Sequence, residues 1–443
     1  MKLLVAVFIA VALEGSIAEK MRFDNHTLYR FTPNNKDLID TLSNLEASGD
    51  PGYNFFSPIR GQNVPVDLLV APDRVQEFKT LLEQSNVQSE LLVPDIQKLI
   101  DNENVKSDRL SGSFDWRQYH TLDEINDWLR GLSDTYPEHV TIVDGGVSYE
   151  GRDIIGVKIS YSPNNHRHTV FIEANIHARE WITSAVATFV INQLLGNDDP
   201  EIRHLAESYD WYIFPVFNPD GFAYSHTTNR LWRKTRQPYS VLCVGADPNR
   251  NWPYQWMQGG ASNNPCSETY AGPSPLSEPS TLSLSSFINS LGFQIEAYIS
   301  FHSYSQMLLL PYGHTTDHLD NYEELMIIGE QAIVDLEKRY GTQYVVGNIA
   351  ETIYVATGGS MDWVKHEYEV PLTYTYELRD TGEYGFLLPA EQILPTALET
   401  MDSLVSIFKS YEILHPRGQN LVLESKEQVQ KDDECCVGIG GLE

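Results

Sequence analysis

Cysteine is scarce, with four in 443 residues, too few to staple a chain of this length. A disulfide-dense scaffold is therefore excluded. Basic side chains are outnumbered, 31 Lys and Arg against 61 Asp and Glu, for a formal charge of −30. Such a field repels phosphate backbones and anionic lipid, so neither nucleic acid nor a membrane surface is the expected partner. The imbalance is not confined to a tail. Residues 1–109 carry 11 basic and 16 acidic side chains, leaving 20 and 45 for residues 110–443, a net −25. Long apolar runs are missing after the N-terminus, and there is no internal repeat. With 42% hydrophobic and 21% charged residues the composition is that of a globular protein, which excludes wholesale disorder.

At the N-terminus Lys2 precedes an apolar run from Leu3 to Leu13, with Ser16 and Ala18 at −3 and −1 of a cleavage point. This predicts a secretory signal peptide over residues 1–18, hence a secreted, extracellular protein that can keep disulfides. Residues 19–109 read as a small unit. Strands are predicted at 27–31 and 65–70, and helices at 36–45 and 75–82, which together suggest an α/β sandwich. The polar stretch 101–109 contains Lys106 and Arg109 and reads as an exposed linker open to a trypsin-like protease.

A second unit, 110–414, opens on a capping box, Thr121 with Glu124, followed by Ile125, Trp128, Leu129 and Leu132 at helical spacing. Strands are predicted at 154–159, 169–176, 211–217, 295–301 and 372–378, and helices at 181–195, 323–339 and 395–411. That alternation predicts an α/β fold with a mixed, mostly parallel sheet covered by helices on both faces. Residues 415–443 form a polar tail containing Cys435 and Cys436.

His177-Ala-Arg-Glu180 follows one predicted strand, and His302 follows another. Open α/β sheets gather their ligands at such strand ends. Two His and one Glu would leave a fourth zinc position open for water. Taken alone, His-x-x-Glu is a weak signal that fits an exposed turn pair better than a metal site. His366-Glu367 is not a zincin motif, because position 370 is Val, and no G-x-S-x-G serine elbow occurs.

Seven segments in order narrow the choice. They are His177-Ala-Arg-Glu-Trp-Ile182, Asn218-Pro-Asp-Gly-Phe222, Asn229-Arg-Leu-Trp-Arg-Lys-Thr-Arg236, Asp247-Pro-Asn-Arg-Asn-Trp252, Ser300-Phe-His-Ser-Tyr304, Gly358-Gly-Ser-Met-Asp-Trp363 and Glu377-Leu-Arg-Asp-Thr-Gly-Glu-Tyr-Gly385. Over residues 116–411 the chain resembles the secreted zinc metallocarboxypeptidases, and residues 19–109 look like that family's activation segment. The resemblance implies a zymogen of an exopeptidase that removes one residue from a peptide's C-terminus. It implies one Zn2+ per chain, held by His177, Glu180 and His302, with Asp247 orienting His177. The ion would acidify a water and polarise the scissile carbonyl, with Glu377 as general base. Read without the family, Asp247 is a turn residue before Pro248 and Glu377 a solvent-facing strand residue.

Further roles follow from the resemblance. Arg233 stabilises the oxyanion, Asn249, Arg250 and Tyr354 clamp the terminal carboxylate, and Arg179 and Tyr304 line outer subsites. Arginine suits carboxylate because its planar fork binds both oxygens. Cys243 and Cys266 match the family disulfide. Met361 falls where basic-specific members carry Asp, and Gly313 and Ile349 align with other uncharged wall positions. An uncharged pocket predicts preference for aromatic or large aliphatic C-terminal residues; Met361 as plain core filler is the alternative. Expected partners are peptide C-termini and an activating trypsin-like protease, with the chain a monomer. A peptide-binding homologue without activity is the rival reading.

Overall fold

The computed structural model describes residues 20–57, 59, 61–104, 114–162 and 168–416. The predicted signal peptide, the linker residues Lys106 and Arg109, and the tail with Cys435 and Cys436 lie outside them. Two sheets organise the chain. The first runs β2-β3-β1-β4, from β1 (Thr27–Phe31), β2 (Tyr53–Phe55), β3 (Val66–Val70) and β4 (Ser89–Val93). Helices Lys36–Ser48 and Val75–Gln84 bury Leu38, Leu42, Phe78 and Leu82 against it, forming a small separate core with Tyr29, Phe31 and Leu68.

The second sheet has eight strands: β5 (Val140–Val147), β6 (Asp153–Ile159), β7 (Thr169–Ala174), β8 (Asp210–Phe214), β9 (Ile295–Ser303), β10 (Met307–Leu310), β11 (Val345–Asn348) and β12 (Leu372–Leu378). Their order is β11-β10-β12-β9-β7-β8-β6-β5. The centre, β12-β9-β7-β8, is parallel, whereas β6 and β5 continue antiparallel and β10 runs antiparallel to β12. The sheet is thus mixed, with its parallel part where the site lies. Strand alternation sorts side chains into two cores. Val170, Ile172 and Ala174 pack with helices Leu122–Thr135, Trp181–Gly196, Tyr322–Tyr340 and Ile393–Leu414. Phe171 packs on the other face, with Leu284 and Ile288 of helix Pro279–Leu291 and Trp363 of helix Ser360–Tyr368.

Three predicted boundaries shift for physical reasons. β7 stops at Ala174, not 176, because Asn175 has φ of 56° and turns the chain out of the ladder. β8 stops at Phe214 because Pro215 has no N–H to give. The last helix begins at Ile393, two residues before Pro395, since proline is tolerated in the first turn, where its missing N–H has no partner anyway. The capping box is as predicted, with Thr121 Oγ1 accepting from Glu124 N and Glu124 Oε2 accepting from Thr121 N.

Candidate active site

The turn after β7 is held by Asn175, whose N donates to Thr183 Oγ1 at 3.0 Å and whose Nδ2 donates to Glu180 O at 3.2 Å. This fixes His177 and Glu180 at the strand's C-terminal end. On the next strand, His302 is the penultimate residue of β9, and on the strand beyond it Glu377 is that of β12; the two are register partners. The prediction placed His302 just beyond its strand; it lies inside it.

His177, Glu180 and His302 are buried and converge. His177 Nδ1 lies 2.8 Å from Glu180 Oε1, His302 Nδ1 3.3 Å from Glu180 Oε2, and the two Nδ1 atoms 3.2 Å apart. One ligand atom from each falls within 4.8 Å of the others, so two imidazoles and a carboxylate fit a zinc ion. The opposite nitrogen of His177, Nε2, lies 3.1 Å from Asp247 Oδ1, which leaves Nδ1 facing the other two ligands. Asp247 is wholly buried and accepts from Arg233 Nη2 at 2.7 Å and from Asn249 N at 2.9 Å. Burial would raise its pKa, yet Arg233, with His177 and Arg250, holds it well below the usual carboxylate range. Burial, then Arg233, pushes His177 down toward the neutral imidazole a metal needs.

A cleft of about 400 Å³ opens beside the three residues. Arg233, Asn249, Arg250, Tyr304, Tyr354, Met361 and Glu377 all line it, as do Gly313 and Ile349. Arg250 Nη2 donates to Tyr354 OH at 2.9 Å, and Asn249 Oδ1 accepts from Ser360 N at 3.0 Å. Met361 is buried in the cleft lining and receives a hydrogen bond from Thr375 Oγ1 at 3.3 Å. Its neighbour Asp362, which the sequence reading passed over, also lines the cleft. Gly313 N donates to it at 2.9 Å and His314 N at 3.2 Å.

This arrangement places a family. The chain belongs to the zinc carboxypeptidases. The profile described as "Zinc carboxypeptidase" matches residues 125–403, and "Carboxypeptidase activation peptide" matches residues 29–103. Among curated relatives, "Zinc carboxypeptidase A 1" of Anopheles gambiae is 45% identical over 405 residues, covering 90% of this chain and 93% of that one. "Carboxypeptidase A1" of Sus scrofa is 38% identical over 413 residues, covering 91% and 98%. The solved carboxypeptidase A from Helicoverpa armigera superposes with a TM-score of 0.80 at 28% identity, covering 88% and 98%. The protein is a zinc carboxypeptidase made as a zymogen with an activation peptide.

In this zinc carboxypeptidase Arg179 does not line the cleft, because the activation peptide covers it. Arg179 Nη1 donates to Asn54 Oδ1 at 3.3 Å, and its guanidinium lies 4.0 Å from the Phe386 ring. Burial pulls its pKa down to about 10. Tyr304 OH donates to Asp67 Oδ2 at 2.7 Å, and Arg30 pairs with both Asp67 oxygens at 2.7 Å. Arg230, part of the basic run, pairs with Glu103 at 2.5 Å; both are 2% exposed. Arg230 also donates to the carbonyls of Arg179 and Phe386 and stacks 3.7 Å over Trp181. Lys234 Nζ donates to the carbonyls of Pro265 and Ser267. Arg230 and Lys234 are therefore spent on internal partners. Cys243 and Cys266 are joined as the resemblance implied. Among the described residues no helix is long and apolar enough to cross a membrane.

Proposed function

We propose that the protein is a secreted, monomeric carboxypeptidase that removes aromatic or large aliphatic residues from peptide C-termini after a trypsin-like protease cuts near Arg109 or Lys106. The observation that carries the reading is a single cleft with a metal trio at one end, an Arg–Tyr pair beside it and an uncharged base at Met361. Asn249, Arg250 and Tyr354 hold the terminal carboxylate, the Arg fork supplying two parallel hydrogen bonds. The last side chain enters the space bounded by Met361, Gly313 and Ile349. A ring or a Leu gains about 1.5–3 kcal/mol there by leaving water.

A Lys or Arg would bury its cation without a free counter-charge, at a cost of several kcal/mol, roughly that of an unpaired buried ion. Asp362, next to Met361, is already engaged by Gly313 N, His314 N and the His314 ring Nδ1. When bound, zinc supplies Lewis acidity and acidifies a water. Glu377, across the ladder from His302, takes a proton from the attacking water and passes it to the leaving amine. Arg233, held by Asp247, sets a fixed positive charge beside the carbonyl oxygen as that oxygen gains charge. Arg179 and Tyr304 serve upstream residues of the substrate once the activation peptide leaves.

The test is kcat/KM for matched peptides ending in Phe, Leu, Lys and Arg, with Met361→Asp alongside. Wild type should favour Phe and Leu, and the variant should shift toward Lys and Arg. A wild-type preference for Lys or Arg would refute the pocket assignment.

A further inference from the structure

Glu173 belongs to no sequence motif of the site, yet it lies beneath it. It is wholly buried on β7 and faces Ser300 across the β7–β9 ladder. Its Oε1 accepts hydroxyl protons from Ser300 at 2.5 Å, from Ser360 at 3.2 Å and from Tyr298 at 3.4 Å. Its Oε2 is buried with no hydrogen-bond partner among the described residues. An under-satisfied buried carboxyl is costly, and such groups are kept where the geometry they impose matters. Burial also raises its pKa, favouring the neutral acid.

The groups it joins are those that carry the site. β7 leads through Asn175 to His177 and Glu180. Ser300 stands two residues before His302 on β9. Ser360 opens the helix that bears Met361, and its N–H donates to Asn249 Oδ1. That bond turns the Asn249 amide so that its oxygen faces the helix and its Nδ2 lies 3.4 Å from His302 Nε2. The hydroxyl protons of Ser360 and Thr375, both on the cleft wall, are committed to Glu173 and to Met361 Sδ. The pocket base therefore presents no hydroxyl donor to a substrate side chain.

We infer that Glu173 is a positioning residue: by holding Ser360 it sets the depth of the side-chain pocket at Met361 and the aim of the Asn249 amide. The inference rests on the function proposed above. The test compares wild type, Glu173→Ala, Glu173→Gln and Ser360→Ala, each as the full chain activated by trypsin. Two readouts are used: kcat/KM for matched peptides ending in Phe and in Ala, and calorimetric binding of free phenylalanine. The clamp serves both peptides, so the Phe/Ala ratio isolates the pocket base.

In Glu173→Ala the ratio should fall about tenfold or more, carried by KM, and phenylalanine binding should weaken by a similar factor. Zinc content should not change. Glu173→Gln keeps the accepting Oε1 and should restore both readouts to within about twofold. Should the Ala variant fail to fold, Ser360→Ala removes the same link alone and should move both readouts the same way. A lowered melting temperature with both readouts unmoved would overturn the inference, leaving Glu173 a packing group. A wild type that binds phenylalanine but hydrolyses neither peptide would refute the functional reading instead, and the binding ratio would still decide this one.

Discussion

Glu377 shows how far a single side chain depends on its neighbours. On an isolated strand a glutamate at that alternation would face water, yet here it lines the cleft beside His302. Glu377→Gln keeps shape and volume and loses only basicity. We expect it to retain zinc and to lose roughly 10²- to 10⁴-fold in kcat, the range for removal of a general base. Metal analysis and steady-state rates on one preparation check this, and a near-normal kcat would mean another group takes the proton. At the same scale the proposed substrate preference rests on Met361 lacking a charge, a property visible in one letter of the sequence. For Asp362, one residue on, sequence position does not reveal the contacts with Gly313 and His314 that hold it.

At the scale of elements, the loop carrying Tyr354 is held by a close approach that only glycine permits. Gly260 has φ of 60°, and a Cβ there would meet the Val355 carbonyl oxygen at 1.8 Å. Its own carbonyl accepts from Arg250 Nε at 2.9 Å. Gly260→Ala should therefore displace both halves of the Arg250–Tyr354 pair. We expect KM to rise about tenfold or more with a smaller change in kcat, and a stability loss of about 1–3 kcal/mol from the strained backbone. Kinetics and thermal melting separate the two effects, and an unchanged KM would contradict the coupling. The long, periodic elements were readable because each buries a repeating face. Not predicted were β4, β5 and helices Ile96–Asn102, Pro200–Ser208, Pro219–Thr227, Pro279–Leu291 and Ser360–Tyr368, together with the shortest elements: β2 with three residues, β10 and β11 with four each, and helix Ile349–Thr352. A run that short contains too few turns or alternations to register as a period.

Across the whole molecule, the Glu103–Arg230 pair fastens the activation peptide at one point while Asp67 and Asn54 meet Tyr304 and Arg179 at others. A cut near Arg109 leaves Glu103 on the activation-peptide side. Removing one partner of a buried pair costs about 3–5 kcal/mol. Glu103→Ala should thus raise the activity of the uncut precursor toward large peptides and speed release after trypsin. Activity time courses with and without trypsin measure both, and identical courses would show that the pair does not hold the peptide.

A second carboxyl adds a pH term. Glu46, on the activation-peptide helix Lys36–Ser48, is pushed up to about 7 by burial and by Glu268, against Arg233 and Arg250. Docking then takes up a proton, because the docked pKa exceeds the free one. Attachment is unpenalised below about 4.5, weakens as pH rises toward 7, and levels off above it. The nicked protein should hold its activation peptide more tightly at pH 5 than at pH 8, and Glu46→Gln should flatten the dependence. Size-exclusion of nicked protein across that range gives the answer.

What sequence alone determined is local chemistry. The metal-binding residue types at His177, Glu180 and His302, the cations at Arg233 and Arg250 and the neutral residue at 361 are all set by identity and short-range motif. The long helices and strands belong with them, since their apolar period is written along the chain. Only tertiary structure decided which distant groups meet. Glu103 finds Arg230 across 127 positions, Glu173 joins Ser300 and Ser360 beneath the cleft, and Asp67 covers Tyr304 across 237. Such pairings depend on strand order and sheet register, which arise when the two cores close. A carboxylate in the sequence carries no mark of whether it will face water, a metal or a buried arginine. Its surroundings, not its letter, set its charge and its role.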